Sequence, residues 1–555
     1  MTRRAADLLV DCLAAQGVER LFCVPGESYL SVLDSLHDRA EIDVVACRHE
    51  GGAGFMALAD AKITGQPGVC FVSRGPGAAN ATIALHSAEQ DAVPLVLFIG
   101  HVPRRELGRG AFQEVDYAKT FADMAKGVWT VHDPVTLPEI VARAFVVASQ
   151  PTPGPVVVVL PEDMLDQPAT AEPIRRVPPA AVGSGGERVG EILKQLDRAE
   201  RPLLIAGGEL LEPEGRAALL AAAGALDLPV ASTFKREDVF PKRHPRYAGH
   251  LGFKIPAAQL DRYRKADLIL AVGTRLGEVP TQGYCFPTAP RPEQTLIHVH
   301  RDPGQLNRVF SAEFALAADP VAFLKALTAE VARTEADRKA VDRRDWVAEL
   351  HAPIEAALDW QPDGSDLLDL GPLVASLAQR LPEDAVVITD AGNFSSWVHR
   401  HFPFSGRHLL IGAVGGAMGL AMPAAVATAL RLPERQAVTF VGDGGFLMTG
   451  NELAVAVQRH LPIRVFVADN GSYGTIRMHQ ERDYPHRNFA TDLHNPDFAR
   501  LAEAFGALGL SITQVDQVPA VVERALSHDG PVVVSLRTNL DRISAFTTLD
   551  QVRCR

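Results

Sequence analysis

Short apolar runs of strand length recur along the whole chain, each followed by a stretch long enough for a helix. "IDVVAC", "GVCFVS", "PLVLFIG" and "GPVVVVL" come first, "RPLLIAGG", "DLPVAST", "DLILAVG" and "TLIHVH" next, and "AVVITD", "QAVTFVGD", "IRVFVAD" and "GPVVVSL" last. Unbroken apolar runs suit strands buried on both faces, and parallel neighbours need helix-length crossovers. The expected class is α/β, with doubly wound parallel sheets in three domains. Two composition shifts set the divisions. Asp166 to Arg188 is rich in Pro, Ala and Gly, and Ala332 to Asp366 is a charged helix followed by a Pro-Gly turn region. The expected domains are 1–168, 188–330 and 366–555. At 555 residues, 47% hydrophobic, the chain is long enough to give each domain its own core.

The charge balance narrows the function classes. A net charge of -12 leaves no footprint for nucleic acid or an anionic membrane. Six cysteines (Cys12, Cys23, Cys47, Cys70, Cys285, Cys554) show no CxxC pair or zinc spacing and read as thiols of a reducing compartment. Asp7 and Asp11 interrupt any signal-like apolar stretch at the start, and no transmembrane run is present, so the expected location is the cytoplasm.

Ligands of such sheets bind beyond the carboxyl ends of the strands. "FVGDGGFLMTGNELAVAVQRHLPIRVFVADNGSYG" holds two strand-like runs with an amphipathic helix pattern between them. One run ends at Gly442-Asp443-Gly444 and the other at Asn470-Gly471. If the strands are parallel neighbours, Asp443 and Asn470 meet at one edge. A carboxylate, an amide oxygen and a loop carbonyl suit Mg²⁺, with phosphate oxygens and water completing its shell. Gly444 and Gly445 leave their N–H groups open to a phosphate. Either motif alone is also ordinary turn chemistry.

The spacing of the two, twenty-five residues between Gly444 and Asn470, resembles the diphosphate motif of the thiamine diphosphate-dependent decarboxylases and carboligases. The resemblance spans nearly the whole chain and runs closest to acetolactate synthase large subunits. It implies a pyrimidine-binding, a middle and a diphosphate-binding domain. It also implies Mg²⁺ held by Asp443, Asn470 and the Ser472 carbonyl, with Gly442, Gly444, Gly445, Tyr473 and Gly474 around the diphosphate. "DAGNFSSW" resembles the second diphosphate loop, through Asn393 and Phe394. "GAVGGAMGLAMPAA" resembles the loop that grips the middle of the cofactor, through the Gly416 carbonyl and Met418.

The first domain implies the other half of the site. Glu50, in "VVACRHEGGAGFMALADA", stands where the family has the glutamate that contacts N1' of the aminopyrimidine and so favours deprotonation of the thiazolium C2 by the cofactor's own amine. Alone, a glutamate at a helix start is more often a charge partner of the helix. "FCVPGESYL" resembles the loop that packs on the pyrimidine through Pro25 and Gly26, and "SRGPGAAN" the turn that carries Asn80 towards it. "GAFQEVD" places Gln113 sixty-three residues after Glu50, in the family's reaction centre.

The departures are as informative. His479 stands nine residues after Asn470, where acetolactate synthases carry a tryptophan. His298 and His300 replace a pair of acidic residues of flavin-binding relatives, so FAD is a conceivable cofactor without support. The expected activity is acetolactate synthase-like decarboxylation and carboligation of a 2-oxo acid. The alternatives are a lyase or hydrolase of 2-hydroxyketones or diketones, or a simple decarboxylase, for which His101, His479 and Ser28 are candidate proton donors. Since Glu50 and the Asp443/Asn470 pair fall in different domains, the family arrangement implies a homodimer or homotetramer with sites at subunit interfaces.

Overall fold

The computed structural model describes residues 3–178, 180–334, 336, 338–362 and 368–554. The expected start of the third domain at 366, and residues 1 and 555, lie outside them. Among the described residues the chain forms three six-stranded sheets, parallel throughout, and a small antiparallel pair, Arg3–Arg4 with Pro168–Ala169. The first sheet runs, in space, Asp43–Ala46, Arg20–Cys23, Gly68–Val72, Leu95–His101, Pro155–Pro161, Val128–Thr130. The third follows the same path with Leu409–Gly412, Val386–Thr389, Ala437–Gly442, Arg464–Asp469, Val532–Arg537, Leu508–Ile512. The second sheet runs Tyr247–Leu251, Val230–Thr233, Pro202–Ala206, Leu268–Val272, Thr295–His300, Phe314–Ala317.

These orders fix where ligands can sit. In the first and third sheets the chain reverses its direction of growth between the first and third strands in sequence. The loops after those strands part and leave a crevice. One crevice opens beyond Cys23 and Val72, the other beyond Thr389 and Gly442. The second sheet reverses between Pro202–Ala206 and Leu268–Val272. Its reversal borders a cleft of about 1550 Å³ lined from all three domains, with Lys62, Gln90, Arg236, Arg275, His298 and His300 among its walls.

The first and third domains share one core, in which Ala53, Ala57 and Leu58 of the Glu50–Thr64 helix join Ala421, Met422 and Ala425 of the Ala421–Arg431 helix. Small side chains on both faces let the two backbones come close. At the far end of the first helix, buried Lys62 pairs with Asp91 and donates to the Gly412 carbonyl (2.6 Å). Asp91 accepts the Val414 N–H (2.7 Å) and the Gly415 N–H (3.2 Å).

Two elements differ from the sequence reading. The charged stretch taken as a shift between domains contains the Arg344–Leu358 helix, and this helix belongs to the middle domain's core. Trp346 and Leu350 are buried there, and the Trp346 indole donates to the Pro202 carbonyl (2.8 Å). The charge pattern marks only its outer face. The amphipathic pattern after Gly442 is broken in three: Asp443–Thr449, a 3-10 turn over Gly450–Glu452, and Leu453–Gln458. Gly450 lies so close to the Phe446 ring that a Cβ would overlap it. No described helix is long and apolar enough to cross a membrane. Cys12, Cys23, Cys47 and Cys70 are buried, Cys285 and Cys554 are exposed, and all six are free.

Candidate active site

The loops after Ala437–Gly442 and Arg464–Asp469 meet, as the parallel pairing of those strands requires. Asp443 is the joint. Its Oδ1 accepts the Gly444 N–H (2.8 Å), and its Oδ2 accepts the Gly471 N–H (2.9 Å) and the Asn495 side-chain amide (2.8 Å). Burial pushes the Asp443 carboxyl above its ordinary value, with Asp469 adding to the effect. Asn470 Oδ1 accepts the Ser472 N–H (2.9 Å), and the Ser472 carbonyl accepts the Gly474 N–H (2.7 Å).

The glycines here are steric requirements. A Cβ on Gly444 would stand 2.6 Å from the Tyr473 ring, and one on Gly445 would stand 2.8 Å from Asp390 Oδ2. Gly442 abuts the Phe394 ring in the same way, at 3.1 Å. Asn393 is tied to the Gly474–Asp483 helix: its N–H donates to Thr475 Oγ1 (3.1 Å) and its amide to Met478 Sδ (3.4 Å). Asp443, Asn470, Ser472, Tyr473, Gly474, Asn393 and Phe394 thus form one group at the third sheet's crevice. The Gly416–Met418 loop is fastened to it through Asp390, whose carboxylate accepts the Gly419 N–H (3.0 and 2.9 Å). Gly416 is in the left-handed region (φ +71), with open space around it.

The donor set fits a hard cation and a diphosphate. It offers one buried carboxylate, an amide oxygen and a carbonyl at a loop junction floored by glycines, and the buried Asn495 Oδ1 beside them has no donor. No group of three or more His, Cys, Asp or Glu side chains that could hold a metal ion occurs among the described residues, so a transition-metal cage is not the pattern.

The second group gathers at the first sheet's crevice. Glu50 is the first residue of its helix, and its Oε2 accepts the Asn80 amide (2.9 Å). A Cβ on Gly77 would stand 3.2 Å from Glu50 Oε1. Gly26, after Pro25, packs on Ser73, where a Cβ would stand 2.5 Å from the serine Cβ. Gln113 adopts a left-handed backbone (φ 64) against Gly75, a conformation a non-glycine residue holds only when its surroundings impose it. The neighbouring Phe112 is 77% exposed.

His479 joins neither group by a hydrogen bond among the described residues. It is half-buried on the Gly474–Asp483 helix, four residues after Thr475 and hence on the side of that helix which faces Asn393. Burial lowers its proton affinity, and Arg482 and Lys254 act in the same direction. Of the other proton-donor candidates, Ser28 is buried against Ser73 Oγ (2.9 Å), and His101 is buried edge-on to Tyr117, its proton affinity lowered chiefly by burial.

Within one chain the two groups stand apart. Glu50 begins the helix whose other end, at Lys62, touches Gly412. That is a displacement of about 18 Å at ~1.5 Å per residue. Asn80 lies near the start of the Pro76–Asp91 helix, whose far end meets the Val414–Gly415 loop. Exposed apolar side chains flank both halves: Leu30, Ile83 and Phe112 on one, Leu447, Met448 and Ile476 on the other.

Two residues escape the sequence reading. Asp390 is fully buried, and burial pushes its carboxyl up to about 6 against the hydrogen bonds that hold it. It ties the end of Val386–Thr389 to the Gly416–Met418 loop and accounts for Gly445, yet an acid at a strand end carries no distinctive signal. Asn495 bridges Asp443 and Asp469 (2.8 Å to each) from a loop without a local motif.

Three family models match the chain. Residues 3–120 match the N-terminal TPP binding domain of thiamine pyrophosphate enzymes, 189–327 their central domain and 390–536 their C-terminal TPP binding domain. The chain is 32% identical to the acetolactate synthase isozyme 2 large subunit of Escherichia coli (strain K12), over 97% of this chain and 96% of the relative. It is 30% identical to the isozyme 3 large subunit of the same organism, over 94% and 92%. It is also 30% identical to the acetolactate synthase large subunit of Parasynechococcus marenigrum (strain WH8102), over 96% and 87%.

Proposed function

We propose, for a chain that belongs to the thiamine pyrophosphate enzyme family, that it uses thiamine diphosphate and Mg²⁺ to make or break a carbon–carbon bond next to a carbonyl, in an acetolactate synthase-like reaction of a 2-oxo acid. The observation that carries this reading is the junction of Asp443 with Gly471, a buried carboxylate bridging two strand-end loops. When bound, the cofactor supplies an electron sink for the bond that breaks. The chain supplies placement. Asp443, Asn470 and the Ser472 carbonyl would hold the cation, with Gly442 to Gly445, Asn393, Phe394, Tyr473 and Gly474 around the diphosphate. Gly416 and Met418 would grip the middle of the cofactor. Glu50, oriented by Asn80, would hold a proton at the pyrimidine N1', with Pro25 and Gly26 against the ring and Gln113 beside the reacting carbon. The test is a screen of 2-oxo acids with thiamine diphosphate and Mg²⁺, products read by mass spectrometry. Turnover of none of them, or turnover unaffected by omitting the cofactor, overturns the reading.

The separation of Glu50 from the Gly416 loop supports a second copy of the chain as the source of each site's other half, in a dimer or a pair of dimers acting in the cytoplasm. The domain division at 1–168, 188–330 and 366–555 serves this arrangement, with pyrimidine-binding and diphosphate-binding domains facing each other across the interface. Mixed Glu50→Gln and Asp443→Ala subunits are then expected to recover activity, because one hybrid site inherits both intact halves. Light scattering that finds a monomer, or no recovery on mixing, overturns it. The middle-domain cleft has volume for a nucleotide, but His298 and His300 stand among its walls, and FAD finds no support here.

His479 bears on the product. An imidazole fills less volume than an indole, so the pocket admits water and bulkier partners more readily. This favours the aldehyde or mixed acyloin products of the alternative readings. His479→Trp is expected to raise the share of acetolactate formed from pyruvate severalfold. A product ratio indifferent to the substitution, with efficient acetolactate synthesis by the natural protein, overturns that role.

A further inference from the structure

Glu50 begins its helix, and the backbone just before it is held from another domain. The first N–H groups of a helix have no partner within it. The His49 side chain takes one, accepting the Gly51 N–H on Nδ1 (3.0 Å). Glu452, of the 3-10 turn in the third domain, takes the two that precede Glu50. Its Oε1 accepts the His49 N–H (2.9 Å), and both its oxygens accept the Arg48 N–H (3.1 Å each). This carboxylate is fully buried, and no other hydrogen-bond donor reaches it among the described residues. Gly52 has to be a glycine for the same reason, since a Cβ there would overlap the Glu452 carboxylate. Arg48 reaches back across the same boundary to Gln458 (2.7 Å).

We propose that Glu452 is a positioning residue for Glu50: its carboxylate fixes the Arg48–His49 backbone, and with it the direction in which Glu50 leaves the helix start. The proposal rests on the reading that Glu50 acts at the cofactor's pyrimidine. Asn80 sets one oxygen of the Glu50 side chain, but a side chain can be set only as well as the backbone that carries it. Glu452 is nine residues after Asp443, on the same interrupted helical segment. One short stretch therefore braces the cation junction of its own domain and the proton-holding residue of the first domain. Charge is not what the brace needs. Burial pushes Glu452 up to about 7, against the pull of the Arg48 and His49 N–H groups, so the neutral form is accessible, and a glutamine offers the same accepting oxygen.

The test measures exchange of the C2 proton of bound thiamine diphosphate, separately from the cofactor's dissociation constant, in Glu452→Ala, Glu452→Gln and Glu50→Gln proteins. Glu452→Ala is expected to slow exchange tenfold or more with less than a threefold change in affinity, and Glu452→Gln to exchange within threefold of the natural protein. Normal exchange in Glu452→Ala, with slow exchange in Glu50→Gln, overturns the positioning role alone. Normal exchange in Glu50→Gln overturns the reading beneath it. A glutamine variant as slow as the alanine variant also overturns the proposal. Should Glu452→Ala be recovered unfolded, Glu452→Asp shortens the reach by one methylene and is expected to show the same slowing. A folded aspartate variant exchanging at the natural rate counts against the brace.

Discussion

The Glu50→Gln protein is expected to retain thiamine diphosphate but to exchange the cofactor's C2 proton about a hundredfold or more slowly than the natural protein. That is the usual scale for losing a positioned acid–base group. Glutamine preserves the side chain's length and can still accept the Asn80 amide that Glu50 Oε2 now accepts. What it cannot do is favour a protonated pyrimidine. Affinity should change little, because the residues that would hold the diphosphate belong to the other group. Proton exchange followed by NMR after acid quench separates the two quantities. Exchange at the natural rate would remove Glu50 from the mechanism and leave it a residue of the helix start.

How much of this was legible in the sequence follows from where each residue's signal lies. Four strands of each sheet show as apolar runs, most of them because both their faces are buried; Val156 to Leu160, for example, has essentially no exposed surface, and the part-buried edge strand Asp43–Ala46 is the departure. Most of the missed strands lie at sheet edges. Tyr247–Leu251, Val128–Thr130 and Leu508–Ile512 are short and mixed in polarity, since an edge strand packs against a single neighbour. Arg20–Cys23 is the exception, an interior strand of four residues that opens on a charged arginine.

The site divides in the same way. Asp443, Asn470 and Glu50 stand in local motifs at strand ends: Asp443 follows a strand that flanks a chain reversal, and Asn470 and Glu50 each follow the strand beside one that does. Gly75 against Gln113, Asn495 across Asp443, and Glu452 under Glu50 are partnerships between distant segments. The Glu452 contacts join residues about four hundred positions apart, and no local pattern encodes them. Gln113 was found through its neighbours in sequence. Its left-handed backbone, the physical mark of an imposed conformation, is visible only in the fold.

Asp443→Ala is expected to abolish the dependence of cofactor retention on Mg²⁺. In the natural protein thiamine diphosphate should bind a hundredfold or more tightly with Mg²⁺ than with EDTA, since the cation alone can join the anionic diphosphate to a carboxylate. The alanine variant should bind weakly and equally in both. It also strips an acceptor from the Gly444 N–H, at roughly 1–3 kcal/mol for a buried donor left bare, and leaves the Gly471 N–H and the Asn495 amide only Asp469 to donate to. Weak binding through lost stability must therefore be distinguished from weak binding through a lost ligand. Asp443→Asn does so. It keeps one accepting oxygen, turns the other into an amide that faces donors, and removes a charge that burial and Asp469 already oppose in the ligand-free protein, so it should lose less stability than the alanine variant. Added Mg²⁺ and thiamine diphosphate at a hundred times the dissociation constant stabilise the natural protein by about 2.7 kcal/mol through mass action. The asparagine variant should show almost none of that shift under the same conditions. A full shift in the variant, or a natural protein whose cofactor affinity ignores EDTA, would reduce the Gly442-Asp443-Gly444 stretch to a tight turn whose carboxylate serves only the two loops it joins.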